Sequence, residues 1–163
     1  MSANQRLFVR AMQTENASAV LSMAHALAAA VGDPEPKLTA ADLIRDGLGP
    51  ERWFDCVVAE VEGVVVGYAL ACKGYEAHTG KRRLWLGDLY VRPDARRKGV
   101  GRALIKAIAS HAVGLKCDAV YCELWRANTP GGAFYQTCGV TEASDVAVAR
   151  LDRRRLVAIA AGR

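Results

Sequence analysis

The chain has few of the side chains from which metal sites and disulfide frameworks are built. It contains five cysteines and three histidines, and no two cysteines stand in a C-x-x-C arrangement. An odd number of widely spaced cysteines does not predict a disulfide framework, and the scattered histidines do not complete a zinc-ligand pattern. The sequence therefore predicts a protein with no bound metal, with reduced thiols and with a cytoplasmic location.

Long apolar runs are missing too. No stretch reaches the roughly 18 consecutive apolar residues that predict a membrane-spanning helix. Segment 17–32 is rich in alanine, but Glu15 and Asn16 precede it and His25 interrupts it, which argues against a signal peptide. Repeats, linkers and low-complexity tracts are absent. We therefore expect one domain over residues 1–163 that makes no membrane contact.

Aromatic residues make up only 7% of the chain, whereas the formal net charge is +5. A basic chain favours anionic partners, and nucleic acid, a membrane surface and a phosphorylated cofactor all satisfy that condition. Aromatic side chains do not alternate with the basic clusters, and no nucleic-acid-binding motif is present, so a nucleic-acid partner is not expected.

Hydrophobic periodicity predicts an alternation of strands and helices. Strands are predicted at 7–12, within 53–75 on both sides of Glu62–Gly63, at 83–91, at 119–126, and within 140–152 on both sides of a turn at Ser144–Asp145; helices are predicted from Thr14 and at 39–49, 99–115, 128–139 and 152–162. The hairpins imply antiparallel pairing, and the strand–helix–strand unit implies one parallel pair. The sequence therefore predicts a mixed sheet in an α/β or α+β fold.

The stretch VRPDARRKGVGRALIKAIASHA concentrates positive charge where a strand ends and a helix begins. Apolar residues recur at helical spacing after it, so one face of this helix is expected to be buried. The first turn of a helix carries backbone N–H groups without intrahelical partners and a partial positive charge. Gly99 and Gly101 remove side chains that would obstruct a ligand. With Arg96, Arg97 and Lys98 around it, the turn is typical of a phosphate-binding site.

Two common phosphate-binding motifs do not match this turn. The G-x-x-x-x-G-K-[ST] spacing of a Walker loop is absent. The segment G-V-G-R-A-L lacks the third glycine of a dinucleotide-binding fingerprint, and the predicted order of elements around it is not doubly wound. On this pattern alone, a structural turn with solvated charges remains an alternative.

Two motifs flank the predicted strand at 119–126. The first is a strand ending in L-x-V-x-P, followed by [Q/R]-x-x-G-x-[G/A] and a helix; its positions are held by Leu89, Val91, Pro93, Arg96, Gly99 and Gly101. The second is the segment NTPGGAFYQTCGV. Together, in this order and at this distance, they resemble the two conserved motifs of the GNAT acetyltransferase superfamily, and the resemblance extends over about residues 6–152.

The resemblance implies a single GNAT-like domain of the α/β (α+β) class. We expect a mixed, mostly antiparallel sheet of about six or seven strands with helices on both faces. A splayed parallel strand pair is expected to form the cofactor cleft.

The resemblance also implies acetyl-coenzyme A as acetyl donor. Its pyrophosphate is expected on the turn at 97–102, and its pantetheine arm beside the central strand, where a backbone N–H polarises the thioester carbonyl. Asn128 either caps the helix that follows it or also contacts the cofactor. The residues expected to bind the cofactor are Leu89, Tyr90, Val91, Arg96, Arg97, Lys98, Gly99, Val100, Gly101, Arg102 and Asn128.

For catalysis, the resemblance assigns Tyr135 as the general acid that protonates the departing thiolate. The alternative is that Tyr135, beside Phe134, only fills the core. Asp88 is a candidate for the general base or for a substrate anchor, whereas Glu123, a chain of water molecules or His78 remain alternatives. An acyl-cysteine intermediate is not expected.

Within the superfamily, L-x-D-L-Y-V-R-P with N-T-P-G-G-A-F-Y looks most like the diamine, or spermidine/spermine-type, group. That group usually reads L-E-D, whereas Gly87 stands here at the glutamate position and Asp88 is retained. The expected acceptor is a primary amine of a small molecule, either polyamine or amino-acid-like. Alternatives are acetylation of protein lysines or N-termini, and a non-catalytic coenzyme A sensor. Because such proteins are commonly dimers, a homodimer is expected.

Overall fold

The fold is built on a five-stranded mixed sheet. The computed structural model describes residues 6–143 and 146–162. The strands follow one another in space as in the chain, and only the last pair, β4 with β5, is parallel. Their bounds are β1 Leu7–Ala11, β2 Asp55–Val61, β3 Val64–Glu76, β4 Lys81–Val91 and β5 Ala119–Cys122.

In the part of the chain that the structure describes, five α-helices connect or follow these strands. Their bounds are α1 Ala17–Val31, α2 Ala40–Leu48, α3 Val100–Gly114, α4 Thr129–Thr137 and α5 Arg153–Ala160. The second begins with a capping box, in which Thr39 and Asp42 each accept from the other's backbone N–H. No helix in the described part of the chain has both the length and the apolar character of a membrane span.

Helices cover both faces of the sheet, as the sequence predicts. On one face, Leu104 and Ile108 of α3 pack against Leu84 of β4 in an apolar cluster. On the other, Val20 of α1 packs with the fully buried Tyr68 of β3. Each large apolar side chain buried in this way stabilises the fold by about 1.5–3 kcal/mol, which fixes α3 and its first turn against the sheet.

The predicted turn at Glu62–Gly63 is confirmed as a two-residue β2–β3 hairpin. Glu62 has φ 51° and Gly63 has φ 80°, so both lie in the left-handed region. Two left-handed residues are what a type I′ turn requires, and its twist matches that of the strands it joins.

A β-bulge in β4 decides which way its later side chains point. Leu70 of β3 pairs with Asp88, but the next residue of β3 pairs with Leu86, which leaves Gly87 as the extra residue. Leu86 lies in the α3-side core, whereas Asp88 turns to the opposite face. The bulge therefore directs the Asp88 carboxylate toward the α1 side.

The predicted strand count is wrong for the part of the chain that the structure describes. The sheet has five strands rather than six or seven, and β5 ends at Cys122 instead of continuing to 126. Residues 140–143 and 146–151 join no ladder, and the predicted turn at Ser144–Asp145 lies outside the described residues. Alternation identifies a segment that is able to form a strand, but a strand also requires a neighbouring edge that satisfies its backbone groups.

Candidate active site

The basic turn before α3 presents its backbone N–H groups outward. Arg97 has φ 63° and Gly99 has φ 83°, so the chain passes twice through the left-handed region before the helix begins at Val100. Gly99 accepts the first helical hydrogen bond, from the N–H of Ala103. Within the described residues, no acceptor meets the N–H groups of positions 100, 101 and 102. These three donors and the helix dipole form a cradle of the kind that is suited to bind an anion.

The two glycines of this turn are required for different structural reasons. A Cβ on Gly99 would meet nothing within 4 Å, and its positive φ favours glycine. A Cβ on Gly101 would lie 3.1 Å from Cζ of Phe134. Gly99 therefore shapes the cradle, whereas Gly101 allows α4 to approach α3.

The basic side chains around the cradle are not equivalent. Arg97 and Lys98 are exposed. Arg96 is tied back to the central strand, because its Nε donates to the carbonyl oxygen of Val91 at 2.9 Å and its guanidinium lies 5.6 Å from the centre of the Tyr90 ring. Two cations are thus placed to meet a ligand, and Arg96 braces the turn against β4.

Beside the cradle, the central strand has an unpaired edge. β5 pairs with β4 only from Arg83 to Leu86. From Asp88 to Val91, β4 pairs with β3 on one side and with no described strand on the other. Leu89, Tyr90 and Val91 therefore lie on a free edge at the mouth of the parallel pair, where an extended ligand arm has backbone groups to bind.

Asp88 lies on this part of β4, partly buried and without a described cationic partner. The hydroxyl of Tyr68 donates to its Oδ2 at 2.8 Å. Burial raises the pKa of the Asp88 carboxyl above its usual range, and the hydrogen bond from Tyr68 opposes that rise. Among the described side chains no lysine or arginine forms a salt bridge with it. A carboxylate held in this way is suited to bind a ligand's ammonium or to accept its proton.

Tyr135 extends from α4, whose start is fixed by a cap. The side chain of Asn128 accepts from the N–H of Gly131 at 3.0 Å, which confirms the capping role of Asn128. Tyr135 is half-buried at the edge of the α3-side core. Burial raises the pKa of its phenol above the usual value, and electrostatic interactions with Cys122, Cys138 and Asp88 add to the rise. Tyr135 therefore keeps its proton at neutral pH. It lies close enough to Asp88 for the carboxylate charge to influence the pKa of the phenol.

The structure adds contacts near the site that the sequence did not predict. Tyr68, the hydrogen-bond donor to Asp88, stands in an apolar strand and carries no motif. Trp85 and Tyr121 stack with ring centres 6.2 Å apart and planes 5° apart, and the guanidinium of Arg83 lies 4.6 Å from the Tyr121 ring. Since Leu84 and Leu86 face α3, Trp85 lies on the same face as Asp88. Trp85 and Tyr121 are brought together by the register between β4 and β5, which the sequence alone does not specify.

Other candidate side chains are not brought together with this site. His78 lies in the β3–β4 hairpin, 3.7 Å from Glu76, and Asp88 follows the start of β4 by seven residues, roughly 23 Å along a strand. Glu123 is exposed just beyond β5. No group of three or more potential metal ligands forms among the described residues.

Two surface cavities lie elsewhere. One of about 320 Å³ is lined by residues that include Lys73, Tyr75 and Arg82, and one of about 200 Å³ by residues that include Trp53 and Asp55. Neither includes Asp88 or Tyr135, so the candidate site is the open cleft between β4 and β5 rather than an enclosed cavity.

Comparisons with known proteins agree with this architecture. The chain is 35% identical over 92 residues to the spermidine/spermine N(1)-acetyltransferase-like protein 1 of Homo sapiens, a match that covers 52% of this chain and 13% of that protein. It is 30% identical over 117 residues to the thialysine N-epsilon-acetyltransferase of Sus scrofa, which covers 67% of this chain and 68% of that enzyme.

Among solved structures, the fold is similar to aminoglycoside N-acetyltransferase AAC(6')-Iy in complex with CoA. The TM-score is 0.77 with 20% identity, over 93% of this chain and 98% of that one. The family model described as "Acetyltransferase (GNAT) family" matches residues 21–140. The chain therefore belongs to the GNAT family of acetyltransferases.

Proposed function

We propose that the protein transfers an acetyl group from acetyl-coenzyme A to a primary amine of a small molecule. The observation that carries this proposal is the cradle of three N–H groups without described acceptors, set directly beside the unpaired edge of β4. An anion-binding turn next to a strand edge fits a ligand that joins a diphosphate to an extended amide-containing arm. Acetyl-coenzyme A is such a molecule.

In this proposal, different residues of the cleft bind different parts of acetyl-coenzyme A. The N–H groups of Val100, Gly101 and Arg102 hold the diphosphate, while Arg97 and Lys98 neutralise its charge. The free edge at Leu89–Val91 aligns the pantetheine arm. Arg96 holds the turn in place, and Asn128 fixes the start of α4, which carries Tyr135. When bound, the cofactor supplies an acetyl thioester at the cleft.

Asp88 prepares the acceptor. An ammonium has no lone pair, so it must lose a proton before its nitrogen attacks the thioester carbonyl. The Asp88 carboxylate pairs with the incoming ammonium and lowers the cost of its desolvation, and it takes the proton or passes it to water. Tyr68 orients the carboxylate by its 2.8 Å hydrogen bond.

Tyr135 acts on the leaving group. It directs its O–H toward the sulfur of the departing thiolate and supplies a proton or a hydrogen bond as negative charge develops there. Its raised pKa makes it a weaker acid than an ordinary phenol but keeps it in the donor form across the working pH range. This separates its role from that of Asp88, which acts in its ionised form.

A small-molecule acceptor is favoured by the named relatives and by the open cleft. The two proteins are named for a polyamine and for thialysine, both of which carry primary amines. The Trp85–Tyr121 stack, with Trp85 on the same face of the sheet as Asp88, offers an apolar surface for an alkyl stem. With Gly87 in place of a glutamate, the binding site for the acceptor amine has one carboxylate fewer than the L-E-D pattern would supply.

The test is release of free thiol from acetyl-coenzyme A across a panel of polyamines, diamino acids, aminoglycosides and peptides. Turnover with free amines supports the proposal. Turnover only with peptides would favour a protein acetyltransferase. Coenzyme A binding without any turnover would favour a cofactor sensor.

Replacement of the partly buried carboxylate tests the role of Asp88. We expect Asp88→Asn to lower kcat/KM for the amine on the order of 10²-fold, a typical acid–base contribution. Because burial raises the pKa of Asp88, wild-type activity should decline on the acid side at a higher pH than for an ordinary carboxylate, and the variant should lack this limb.

The same variant should be more stable than the wild type at neutral pH. With its raised pKa, folded Asp88 holds its proton at a higher pH than unfolded Asp88, so wild-type stability falls as pH rises through that interval. Asparagine does not ionise, so the variant does not lose stability over this pH interval. The difference in Tm between the variant and the wild type should shrink as the pH falls toward about 4, near the ordinary aspartate pKa. Asp33→Asn, at an exposed position, is the control. An Asp88→Asn enzyme with wild-type kcat/KM and an unchanged acid limb would remove Asp88 from the mechanism.

A further inference from the structure

Phe134 lies between the cradle and the residue that we assign as general acid. A Cβ placed on Gly101 would lie 3.1 Å from Cζ, 3.2 Å from Cε2 and 3.8 Å from Cε1 of Phe134, so the edge of this ring rests on the first turn of α3. The ring centre of Phe134 also lies 5.6 Å from that of Tyr135, with 59° between the two planes. Aromatic pairs favour such a tilted arrangement. The Phe134 ring therefore joins the turn that forms the cradle to Tyr135.

Packing in the core does not account for this position of Phe134. Tyr135 packs at the edge of the α3-side core, but Phe134 belongs to neither apolar cluster of the described residues. Its side chain is nevertheless partly buried. The contacts with Gly101 and Tyr135 therefore hold this ring in place.

α4, which carries both aromatic residues, depends on other elements for its position. It is nine residues long, none of its described residues is buried, and it includes Gly131 and Gly132, which disfavour a helix. A helix this short is marginal in water without tertiary packing. A long hydrogen bond of 3.5 Å from Nη2 of Arg102 to Oγ1 of Thr137 adds a second contact with α3. Both contacts reach the first turn of α3, so the turn that forms the cradle also sets where α4 lies.

We propose that Phe134 is a positioning residue for acetyl transfer. Its ring, held against Gly101, sets the orientation of the Tyr135 ring and places the phenol O–H relative to a diphosphate bound at the cradle. One turn of helix thus holds the diphosphate through the N–H of Gly101 and the general acid through Phe134. A proton donor acts only within hydrogen-bond reach of the atom that it protonates. The inference rests on the proposed function, in which Tyr135 protonates the thiolate.

The test compares Phe134→Leu in two backgrounds. Leucine keeps an apolar side chain but lacks the ring that contacts Gly101 and Tyr135. We expect it to lower kcat on the order of 10-fold, because a small misplacement of a catalytic group slows the reaction. The Kd for coenzyme A, measured by calorimetry, should be unchanged, since the N–H groups of the cradle are kept. In the Tyr135→Phe background the same substitution should lower kcat no further, because the O–H through which it acts is already absent.

A complementary substitution on α3 tests the contact itself. Gly101→Ala keeps the backbone N–H but adds a methyl group where the Phe134 ring lies, so it should also lower kcat on the order of 10-fold. Leucine at 134 has none of the three ring atoms that the new Cβ would meet. The double variant Gly101→Ala with Phe134→Leu should therefore lose less than the product of the two single losses. Phe8→Leu, at a position 47% exposed on β1, is the matched control and should keep the wild-type kcat.

The outcomes separate this inference from the proposed function. A wild-type chain that acetylates no amine, or a Tyr135→Phe enzyme with the wild-type kcat, would overturn both. With those two results as expected, three others overturn the inference alone: a Phe134→Leu enzyme with the wild-type kcat, an equal loss in both backgrounds, or a loss of coenzyme A affinity equal to the loss of kcat. If Phe134→Leu does not fold, as judged by circular dichroism, Gly101→Ala is compared in the same two backgrounds. A loss of kcat that persists without the Tyr135 hydroxyl would then overturn the inference.

Discussion

Tyr135→Phe should lower kcat on the order of 10²-fold, because it removes the only O–H that we assign to the departing thiolate. The aromatic ring is kept, so the packing of Tyr135 at the edge of the α3-side core is preserved. In the described structure the phenol has no hydrogen-bond partner. The free energy of unfolding should therefore stay equal or rise slightly, since no buried partner is left unsatisfied.

The pH dependence of this variant separates a donor from a packing residue. Burial raises the pKa of Tyr135, so wild-type activity should show no decline from its ionisation below about pH 10, the ordinary phenol value. Wild type and variant should then differ by a constant factor across neutral pH, while the acid limb assigned to Asp88 is unchanged. Steady-state kinetics of thiol release across pH provides the measurement.

The matched control is Tyr75→Phe, which removes an O–H from an exposed residue at the far end of β3. It should leave kcat unchanged. If Tyr135→Phe keeps the wild-type kcat, or if both variants lose activity equally, the general-acid assignment is wrong and Tyr135 is a packing residue.

Reversal of one charge at the cradle should weaken the binding of coenzyme A by a factor similar to the loss of kcat expected for Tyr135→Phe. Lys98→Glu places a negative charge next to the N–H groups of Val100–Arg102, where we propose that the diphosphate binds. Two unit charges about 4 Å apart interact by about 4 kcal/mol at an effective dielectric constant of 20. Since Lys98 is exposed and screened, we expect a smaller loss, on the order of 10²-fold in Kd for coenzyme A by calorimetry.

Lys106→Glu makes the same change in net charge on the exposed side of α3, about one and a half turns from the cradle. It should alter Kd only a few-fold. Pantetheine, which lacks the diphosphate, should bind the two variants equally. Equal losses of coenzyme A affinity in both variants would mean that the net charge of the protein, and not the cradle, governs binding.

The local features of this site were predictable from the sequence because they depend on neighbours in the chain. Gly99, the basic residues before it and the apolar stripe after it specify a turn, a helix start and a buried face, and all three are observed. The Glu62–Gly63 hairpin and the Asn128 cap follow from the same short-range chemistry. Two linked motifs were enough to indicate the family that the comparisons then showed.

Features that join distant segments were not predictable in this way. The contact of Gly101 with Phe134 and the hydrogen bond from Tyr68 to Asp88 each depend on packing between elements far apart in the chain. The Trp85–Tyr121 stack depends on the register between β4 and β5. Periodicity cannot specify such contacts, because it reports which residues share a face and not what lies opposite them.

The sequence by itself determined the basic turn before α3, most of the alternation of strands and helices, and the identity of the residues proposed for catalysis. Only the tertiary structure decided that the bulge at Gly87 turns Asp88 toward Tyr68, that β5 stops at Cys122, and that 146–151 pairs with no strand of the described residues. The physical reason is that a turn or a helix satisfies its own backbone groups locally. A strand, and a side chain buried across a sheet, take their partners from elsewhere in the fold.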